Sequence, residues 1–400
     1  EKKLDDLQSI ALETTKNAVI AAGAGSGKTQ VLATRFAWLV LTKQAKADEI
    51  LTLTFTNKAA AEMYQRIYAT LNFFASHEVC PELSQQQIDL AKEGLSDFAN
   101  AHIQTLDSYC ANIVRQCSNR YGISPDFSTG SGDGVRDVKN AALKFTLKNA
   151  SQLGIKTFSE PGKLQDFAEK QMAYAINQFT NLTTPAGFFS SKLDIQLQEL
   201  ITAINFYCSE SQKTDSHFYG ENNLLKYEDA INSEFEVSFK PTQKEYKGLI
   251  DQAFDFARDG LIGQTYEISD ITDKTEKITN AASQYQNFKT LINKAGGMSA
   301  GWNKNVRSII SQLRGKLLPV LDAIFAYANQ YDALVSFYSL MDQFMADVNE
   351  SKRSSGNLSF GDVSQLALKI LIENQDIREQ EIAAYKKIMI DEFQDNNGEN

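Results

Sequence analysis

The sequence has 400 residues, 42% of them hydrophobic and 22% charged, with a formal net charge of −10. This composition excludes a disordered or fibrous chain and is typical of a globular protein of two or three domains, while the negative balance argues against a uniformly basic nucleic-acid-binding protein. With no apolar run long enough to span a membrane and no basic-then-apolar leader, we expect a soluble, cytoplasmic protein without membrane contact.

The first 120 residues alternate between predicted strands and helices. In chain order, we predict a helix over 4–13, a strand over 18–22, a helix over 28–42, a strand over 50–55, a helix over 57–71, a strand over 101–104 and a helix over 105–120. Strands that alternate with helices indicate a parallel sheet with right-handed crossovers.

The middle of the chain has a different pattern. Between residues 121 and 355, apolar residues recur at spacings of three and four, which predicts helices. A helix over 360–373 and a buried strand over 387–390 then follow. We therefore predict an α/β fold with a parallel-sheet P-loop core of residues 1–120 and 356–400, interrupted by an all-α insertion domain of residues 121–355.

A glycine-rich segment follows the first predicted strand. It consists of Ala22, Gly23, Ala24, Gly25, Ser26, Gly27, Lys28 and Thr29, and only Ala22 departs from the pattern G-x-x-x-x-G-K-[ST]. Glycines let consecutive backbone N–H groups point at a phosphate, and the helix that starts at Lys28 adds the positive end of its dipole. We expect all eight residues to bind a nucleotide, with Lys28 on the β and γ phosphates and Thr29 on Mg²⁺.

Two acids end the last predicted strand. Asp391 and Glu392 follow the apolar run at 388–390, and the carboxyl edge of a parallel sheet is where such folds bind ligands. Alone, two acids at a strand end are more often a solvated turn. Paired with Lys28 and Thr29, they indicate that Asp391 completes the metal site and that Glu392 polarises an attacking water.

Three segments resemble the superfamily 1 DNA helicases of the UvrD/Rep and RecB/AddA group. They are the glycine-rich segment, Thr-Phe-Thr-Asn-Lys-Ala-Ala-Ala-Glu-Met at 54–63 and Asp-Glu-Phe-Gln-Asp at 391–395. The resemblance implies a RecA-like core with ATP and Mg²⁺ as cofactors. It also implies that Gln8 reads adenine, because an amide both donates to and accepts from the adenine edge, and that Gln394 senses the γ-phosphate.

Two more segments favour the RecB/AddA branch, the helicase-nuclease subunits of bacterial double-strand-break repair. Residues 103–110 resemble its T-[IL]-H-S-[FY]-C segment and residues 358–363 its F-x-D-L helix, but Asp107 stands where that branch has histidine. Gln30, expected beside the nucleotide, stands where many relatives have arginine, and we expect Arg35 on the same helix to be structural. The resemblance is sharp over 4–70, 101–127 and 356–396.

The same resemblance implies a DNA site. Phe55 would be a base-stacking platform with Thr56 and Asn57 on phosphates, and Thr105 and Ser108 would also face DNA. In the alternative, Phe55 belongs to the core and Thr56 or Asn57 only caps the following helix.

A basic stretch lies within the predicted insertion. Residues 278–321 contain no acid, and Tyr285, Phe288 and Trp302 are interleaved with six basic residues, namely Lys289, Lys294, Lys304, Arg307, Arg314 and Lys316. The pattern indicates a polyanion-facing surface, with a solvated helix face as the alternative.

We therefore expect the N-terminal part of an ATP-dependent DNA helicase or translocase that acts in double-strand-break repair and recombination. It would bind single-stranded or double-stranded DNA and work with a second subunit of a helicase-nuclease complex. Another P-loop ATPase, RNA-dependent or independent of nucleic acid, is an alternative. A third hypothesis is a nucleotide- and DNA-binding module with negligible turnover, because the second RecA-like domain and any nuclease domain would lie beyond residue 400.

Overall fold

The computed structural model describes residues 6–21, 23, 26–76, 82–130, 133–151, 161–210, 223–298 and 304–393. The protein is mostly helical and has a small parallel sheet. The helices are α1 (Asp6–Glu13), α2 (Lys28–Leu41), α3 (Asn57–Phe74), α4 (Gln85–Ser96), α5 (Leu106–Cys117), α6 (Asp133–Lys148), α7 (Pro161–Phe167), α8 (Tyr174–Phe179), α9 (Phe188–Tyr207), α10 (Leu224–Ser238), α11 (Lys244–Gly260), α12 (Ile268–Thr272), α13 (Glu276–Gly297), α14 (Lys304–Gln312), α15 (Leu318–Ser355), α16 (Phe360–Glu373) and α17 (Gln375–Ala384). The strands are β1 (Ile50–Thr54), β2 (His102–Thr105), β3 (Ser128–Thr129), β4 (Asn357–Leu358) and β5 (Lys387–Ile390).

The chain divides into two compact units. The first consists of Glu1–Ala141, Glu169–Thr184 and Asp347–Asn400, and the second of Ala142–Ala168 and Pro185–Ala346. The first unit contains the three-stranded sheet, whereas the described residues of the second form helices joined by turns and contain no strand. The assignment of residues 1–120 and 356–400 to a P-loop core, and of 121–355 to an insertion domain, stays a prediction.

The sheet of the first unit is parallel, with β1 between β2 and β5. All five residues of β1 are buried, as expected for a parallel strand that is covered on both faces. The register pairs Leu53 with Gln104 on one side and with Ile390 on the other. The carboxyl ends of the three strands therefore lie at the same edge of the sheet. Predicted site residues come directly after these strand ends in the sequence.

The predicted strand at 18–22 is wrong for residues 18–21, which are irregular, and Ala22 lies outside the described residues. Val19 is 83% exposed and Ile20 is 49% exposed. A strand forms only where a neighbour supplies the paired backbone groups, and a short apolar run does not specify that neighbour. The predicted helix at 105–120 also ends early, because α5 stops at Cys117 and residues 118–121 form a 3₁₀ turn.

Two apolar clusters hold the first unit together. One joins α2, α3 and β1 through side chains such as Phe36, Met63 and Ile50. The other joins α5 and α16, where Val114 and Ile370 are fully buried. Burying one such side chain contributes about 1.5–3 kcal/mol, so these clusters anchor the helices that flank the sheet.

The second unit has its own core of helices α9 to α11 and α13 to α15. Tyr285 and Phe288 are fully buried in it, and Tyr285 stacks on Phe325 with ring centroids 4.9 Å apart. The expectation that these two rings interleave a charged surface is therefore wrong, because helical periodicity turns them inward. Trp302 lies outside the described residues.

The basic side chains of the 278–321 stretch remain at the surface of this unit. Lys289 pairs with Asp322 at 2.5 Å, and Arg314 donates to the Asn293 side chain at 3.0 Å. Lys294, Lys304 and Lys316 are exposed. A polyanion-facing surface here stays a prediction. Across the described part of the chain, none of the helices combines the length and apolar composition needed to cross a membrane.

Candidate functional site

The glycine-rich loop turns directly into α2. Gly27 has φ of 81°, a left-handed conformation that favours glycine, and its carbonyl accepts from the Val31 N–H at 3.0 Å. The Ser26 N–H donates to the Gly23 carbonyl at 3.3 Å. Lys28 is thus the first residue of α2, at the end where free N–H groups and the helix dipole favour an anion. The predicted ligands Ala22, Ala24 and Gly25 lie outside the described residues.

Gln8 lies beside this loop. Its Nε2 donates to the Ser26 carbonyl at 3.0 Å, although the two residues belong to separate segments. The contact places a side-chain amide next to the glycine-rich loop, where the resemblance requires an adenine-reading glutamine. Gln30, on the first turn of α2, donates to the Thr34 hydroxyl at 3.4 Å and is exposed.

Arg35 fastens α1 to α2, which confirms the structural role expected for it. Its guanidinium donates to the carbonyls of Ala11, Leu12 and Thr14 at 3.1, 2.6 and 2.8 Å. These carbonyls close the end of α1, where helical partners are missing. Burial lowers the pKa of the Arg35 guanidinium. These hydrogen bonds of Arg35 hold α1, which contains Gln8, against α2, the helix that begins at the glycine-rich loop.

The two acids continue from β5 at the carboxyl edge of the sheet. The Asp391 N–H donates to the Leu53 carbonyl at 2.9 Å, which extends the pairing with β1 by one residue. Glu392 has φ of 52°, a left-handed conformation that is uncommon outside glycine and tends to occur at functional sites. Gln394 lies outside the described residues.

An ion pair joins the two motifs. Both carboxylate oxygens of Glu392 lie 3.2 Å from Lys28 Nζ, although the residues are 364 positions apart in the sequence. The side chains are 29% and 39% exposed, so the pair is open to solvent and to a competing anion. Thr29 and Asp391 are each adjacent in the sequence to one member of this pair.

The donor set at this place suits magnesium. Thr29 offers a hydroxyl and Asp391 a carboxylate, and both are oxygen ligands of the kind that Mg²⁺ prefers. Within the described ranges, no group of three or more His, Cys, Asp or Glu side chains could hold a metal ion.

Phe55 follows β1 at the same edge. It is 54% exposed, so the alternative that places it in the core is wrong. Thr56 caps α3, since its hydroxyl accepts from the Ala59 N–H at 3.1 Å, and it is also exposed, as is Asn57. The capping alternative for Thr56 is therefore correct as a description of the free chain. A contact of these residues with DNA stays a prediction.

Thr105 caps α5 at the end of β2, and Ser108 lies in the first turn of that helix. The Thr105 hydroxyl accepts from the Ser108 N–H at 3.1 Å and lies 2.8 Å from the Ser108 hydroxyl. Thr105 is only 6% exposed, so its capping bond leaves little surface for another ligand. Desolvation raises the pKa of the neighbouring Asp107 carboxyl. The sequence pattern alone did not reveal the capping role.

A cavity of about 380 Å³ lies beside β2 and α5. Its lining includes His102, Gln104, Tyr109, Glu381 and Tyr385. None of the predicted nucleotide-binding or metal-binding residues lines it. The candidate nucleotide site is instead an open edge, formed by the start of α2 and the ends of the strands, as is usual where phosphates bind loop backbone.

The sequence matches a known protein family over almost its whole length. The family model of the UvrD/REP helicase N-terminal domain covers residues 4–399.

Three relatives are named as ATP-dependent helicase/nuclease subunits. The protein from Syntrophomonas wolfei is 27% identical over 409 residues, which cover 95% of this chain and 30% of the relative. The protein from Streptococcus agalactiae is 26% identical, with 95% and 31% covered, and that from Listeria welshimeri is 25% identical, with 98% and 32% covered. The chain thus spans less than a third of the length of these relatives.

Proposed function

The chain belongs to the UvrD/REP helicase N-terminal domain family, and on that premise we propose that it is the ATP-binding and single-stranded-DNA-binding part of an ATP-dependent DNA helicase. The parent protein would be one subunit of a helicase/nuclease that acts in double-strand-break repair and recombination, and its partner would be the second subunit of that complex. The names of the relatives support this proposal.

The observation that carries the nucleotide part is the contact between Lys28 and Glu392. The lysine that follows the glycine-rich loop forms an ion pair with an acid that follows β5, a strand of the parallel sheet. The positive end of α2 lies at the same point. This combination is what hydrolysis of a nucleoside triphosphate requires, because the transferred phosphoryl group needs charge compensation and an oriented water.

The family resemblance then assigns a role to each residue of the site. Lys28 and the N–H groups at 23–29 bind the β and γ phosphates of ATP, and Thr29 and Asp391 bind Mg²⁺. Glu392 orients the attacking water once Lys28 turns to the phosphates. Gln8 selects adenine, Gln30 lies beside the nucleotide, and Gln394 senses the γ-phosphate.

DNA occupies the neighbouring part of the same edge. Phe55 stacks on bases and Thr56 and Asn57 approach phosphates, while Thr105 and Ser108 shape the end of β2. The exposed ring of Phe55 supports this role, because base stacking on an aromatic face serves any sequence. The strand order β2, β1, β5 supports this arrangement, because β1, which Phe55 follows, is the neighbour of β5, which the two acids follow.

Replacement of Lys28 by alanine tests the nucleotide site. In the purified chain, Lys28→Ala should weaken binding of a fluorescent ATP analogue by about 10- to 100-fold, the range for lost hydrogen bonds between charged groups. Lys92→Ala, the same change on the exposed face of α4, should bind like the wild type. In the full-length parent, Lys28→Ala should abolish DNA-stimulated ATP hydrolysis, and normal turnover in that variant would contradict the proposal.

The nucleic-acid preference tests the DNA part. Anisotropy of labelled oligonucleotides should show tighter binding of single-stranded DNA than of RNA with the same sequence. A clear preference for RNA would replace this function with that of an RNA-dependent ATPase.

A further inference from the structure

We infer that Thr54 is a positioning residue for DNA, which holds the Phe55 ring in the orientation that bases stack on. The inference rests on the proposed function, because it takes Phe55 as the stacking platform. It concerns a residue that ends β1 and does not itself face the ligand.

Thr54 bridges the turn that contains Phe55. Its hydroxyl donates to the Thr56 carbonyl at 3.2 Å, so the bond spans Phe55 from one side to the other. Thr54 itself is only 2% exposed, whereas Phe55 is 54% exposed. The buried residue is therefore placed to act on the exposed one through the backbone.

The backbone is what orients the Phe55 side chain. Among the described residues, no other aromatic ring packs against Phe55, and more than half of its surface is open. On one side, the pairing of Thr54 with Thr105 in β2 fixes the chain. On the other, Thr56 is tied to α3 through its bond with the Ala59 N–H. The Thr54 hydroxyl closes the gap between these two fixed points, so its loss frees the peptide units that carry the ring.

The same strand contains a matched control. Thr52 lies two residues earlier, hence on the same face of β1, and is fully buried. Unlike that of Thr54, the Thr52 hydroxyl has no hydrogen-bond partner among the described residues. Thr→Val keeps the shape of the side chain and removes the hydroxyl. The two variants therefore make the same chemical change at equal burial, and only one of them breaks a bond.

The experiment measures single-stranded DNA binding by the purified chain. Thr54→Val should weaken the affinity for labelled oligo-dT by about two- to tenfold, the range of one neutral hydrogen bond. It should also reduce the quenching of 2-aminopurine, which reports stacking on an aromatic ring. Thr52→Val should bind like the wild type, Thr54→Ser should restore binding, and the affinity for an ATP analogue should stay unchanged throughout.

A double-mutant cycle separates positioning from a general structural effect. In a Phe55→Ala background, Thr54→Val should cost no further DNA affinity, since the ring that it orients is gone. Thr54→Ala, which also lacks the hydroxyl, is measured in parallel so that the conclusion does not depend on one variant folding.

The outcomes distinguish the inference from the function beneath it. If Phe55→Ala weakens DNA binding while Thr54→Val and Thr54→Ala do not, the inference is overturned and the DNA site stands. A cost of Thr54→Val that persists in the Phe55→Ala background also overturns it. If Phe55→Ala itself leaves DNA binding unchanged, the proposed DNA site fails and the inference falls with it.

Discussion

Replacement of Glu392 by glutamine should increase the affinity of the chain for ATP. In the free chain both oxygens of the Glu392 carboxylate hold Lys28 at 3.2 Å, so a nucleotide has to break this contact before Lys28 can reach its phosphates. Glutamine keeps the size of the side chain but loses the charge. The amide oxygen can still accept a hydrogen bond from Lys28, but the attraction between opposite charges is gone, so binding no longer includes the cost of breaking the ion pair.

The structure limits the size of this effect. The two side chains are 29% and 39% exposed, so water and salt screen their attraction. Ion pairs with this degree of exposure contribute up to about 1 kcal/mol, which corresponds to at most about a fivefold gain in affinity. Because the attraction is electrostatic and exposed, the gain should shrink as the salt concentration rises.

The assay is a titration of the purified chain with a fluorescent, slowly hydrolysed ATP analogue and Mg²⁺, at low and at high salt. Glu93→Gln, on the exposed surface of α4, makes the same change in net charge away from the sheet edge and should bind like the wild type. In the full-length parent, Glu392→Gln should combine tighter binding with slower hydrolysis, because the same carboxylate orients the water. Equal affinities of Glu392→Gln and wild type at low salt, or a difference that does not depend on salt, would refute the reasoning.

Two further predictions concern stability. Asp362 is fully buried and pairs with Lys352 at 2.8 Å, so Asp362→Ala should destabilise the chain by about 3–5 kcal/mol in urea denaturation. Asp376→Ala removes one partner of an exposed ion pair and should leave the denaturation midpoint nearly unchanged. Similar midpoints for the two variants would contradict this prediction. Burial raises the pKa of the Cys208 thiol to about 12, so the native state holds this proton more tightly than the unfolded chain does. This protonated thiol contributes fully to the free energy of unfolding below a pH of about 8.5, and the contribution is lost as the pH rises towards 12. Between about pH 7.5 and 10.5 the wild type should therefore lose more stability than Cys208→Ala. Equal losses of stability in the two proteins would disprove the prediction.

Local patterns predicted several elements at their observed residues. The helix at 360–373 and the strand at 387–390 are found there. The expected burial of that strand is wrong, because only Met389 is buried and Ile388 is 62% exposed. Ser359 starts that helix with a capping box. The Ser359 hydroxyl accepts from the Asp362 N–H and also donates to the Asp362 carboxylate. Such signals lie within a few residues of one another and do not depend on the rest of the fold.

Other predictions required knowledge of distant neighbours. The apolar run at 18–21 has the composition of a strand, but the described part of the structure provides no strand paired with it. Tyr285 and Phe288 lie in a basic stretch, yet the core of the second unit takes both rings. Phe55 is equally apolar and is exposed. The residue type sets how unfavourable the exposure of a side chain is, whereas only the packing of the whole fold decides which apolar side chains are exposed.

The sequence by itself determined the family, and it predicted the chemistry of the site, because the glycine-rich loop and the paired acids are local patterns tied to phosphate and metal chemistry. Only the tertiary structure decided that Lys28 meets Glu392 in the free chain and that Arg35 holds α1 beside the loop. These contacts depend on strand register and helix docking. Register and docking arise from the packing of residues far apart in the chain, which no local pattern records.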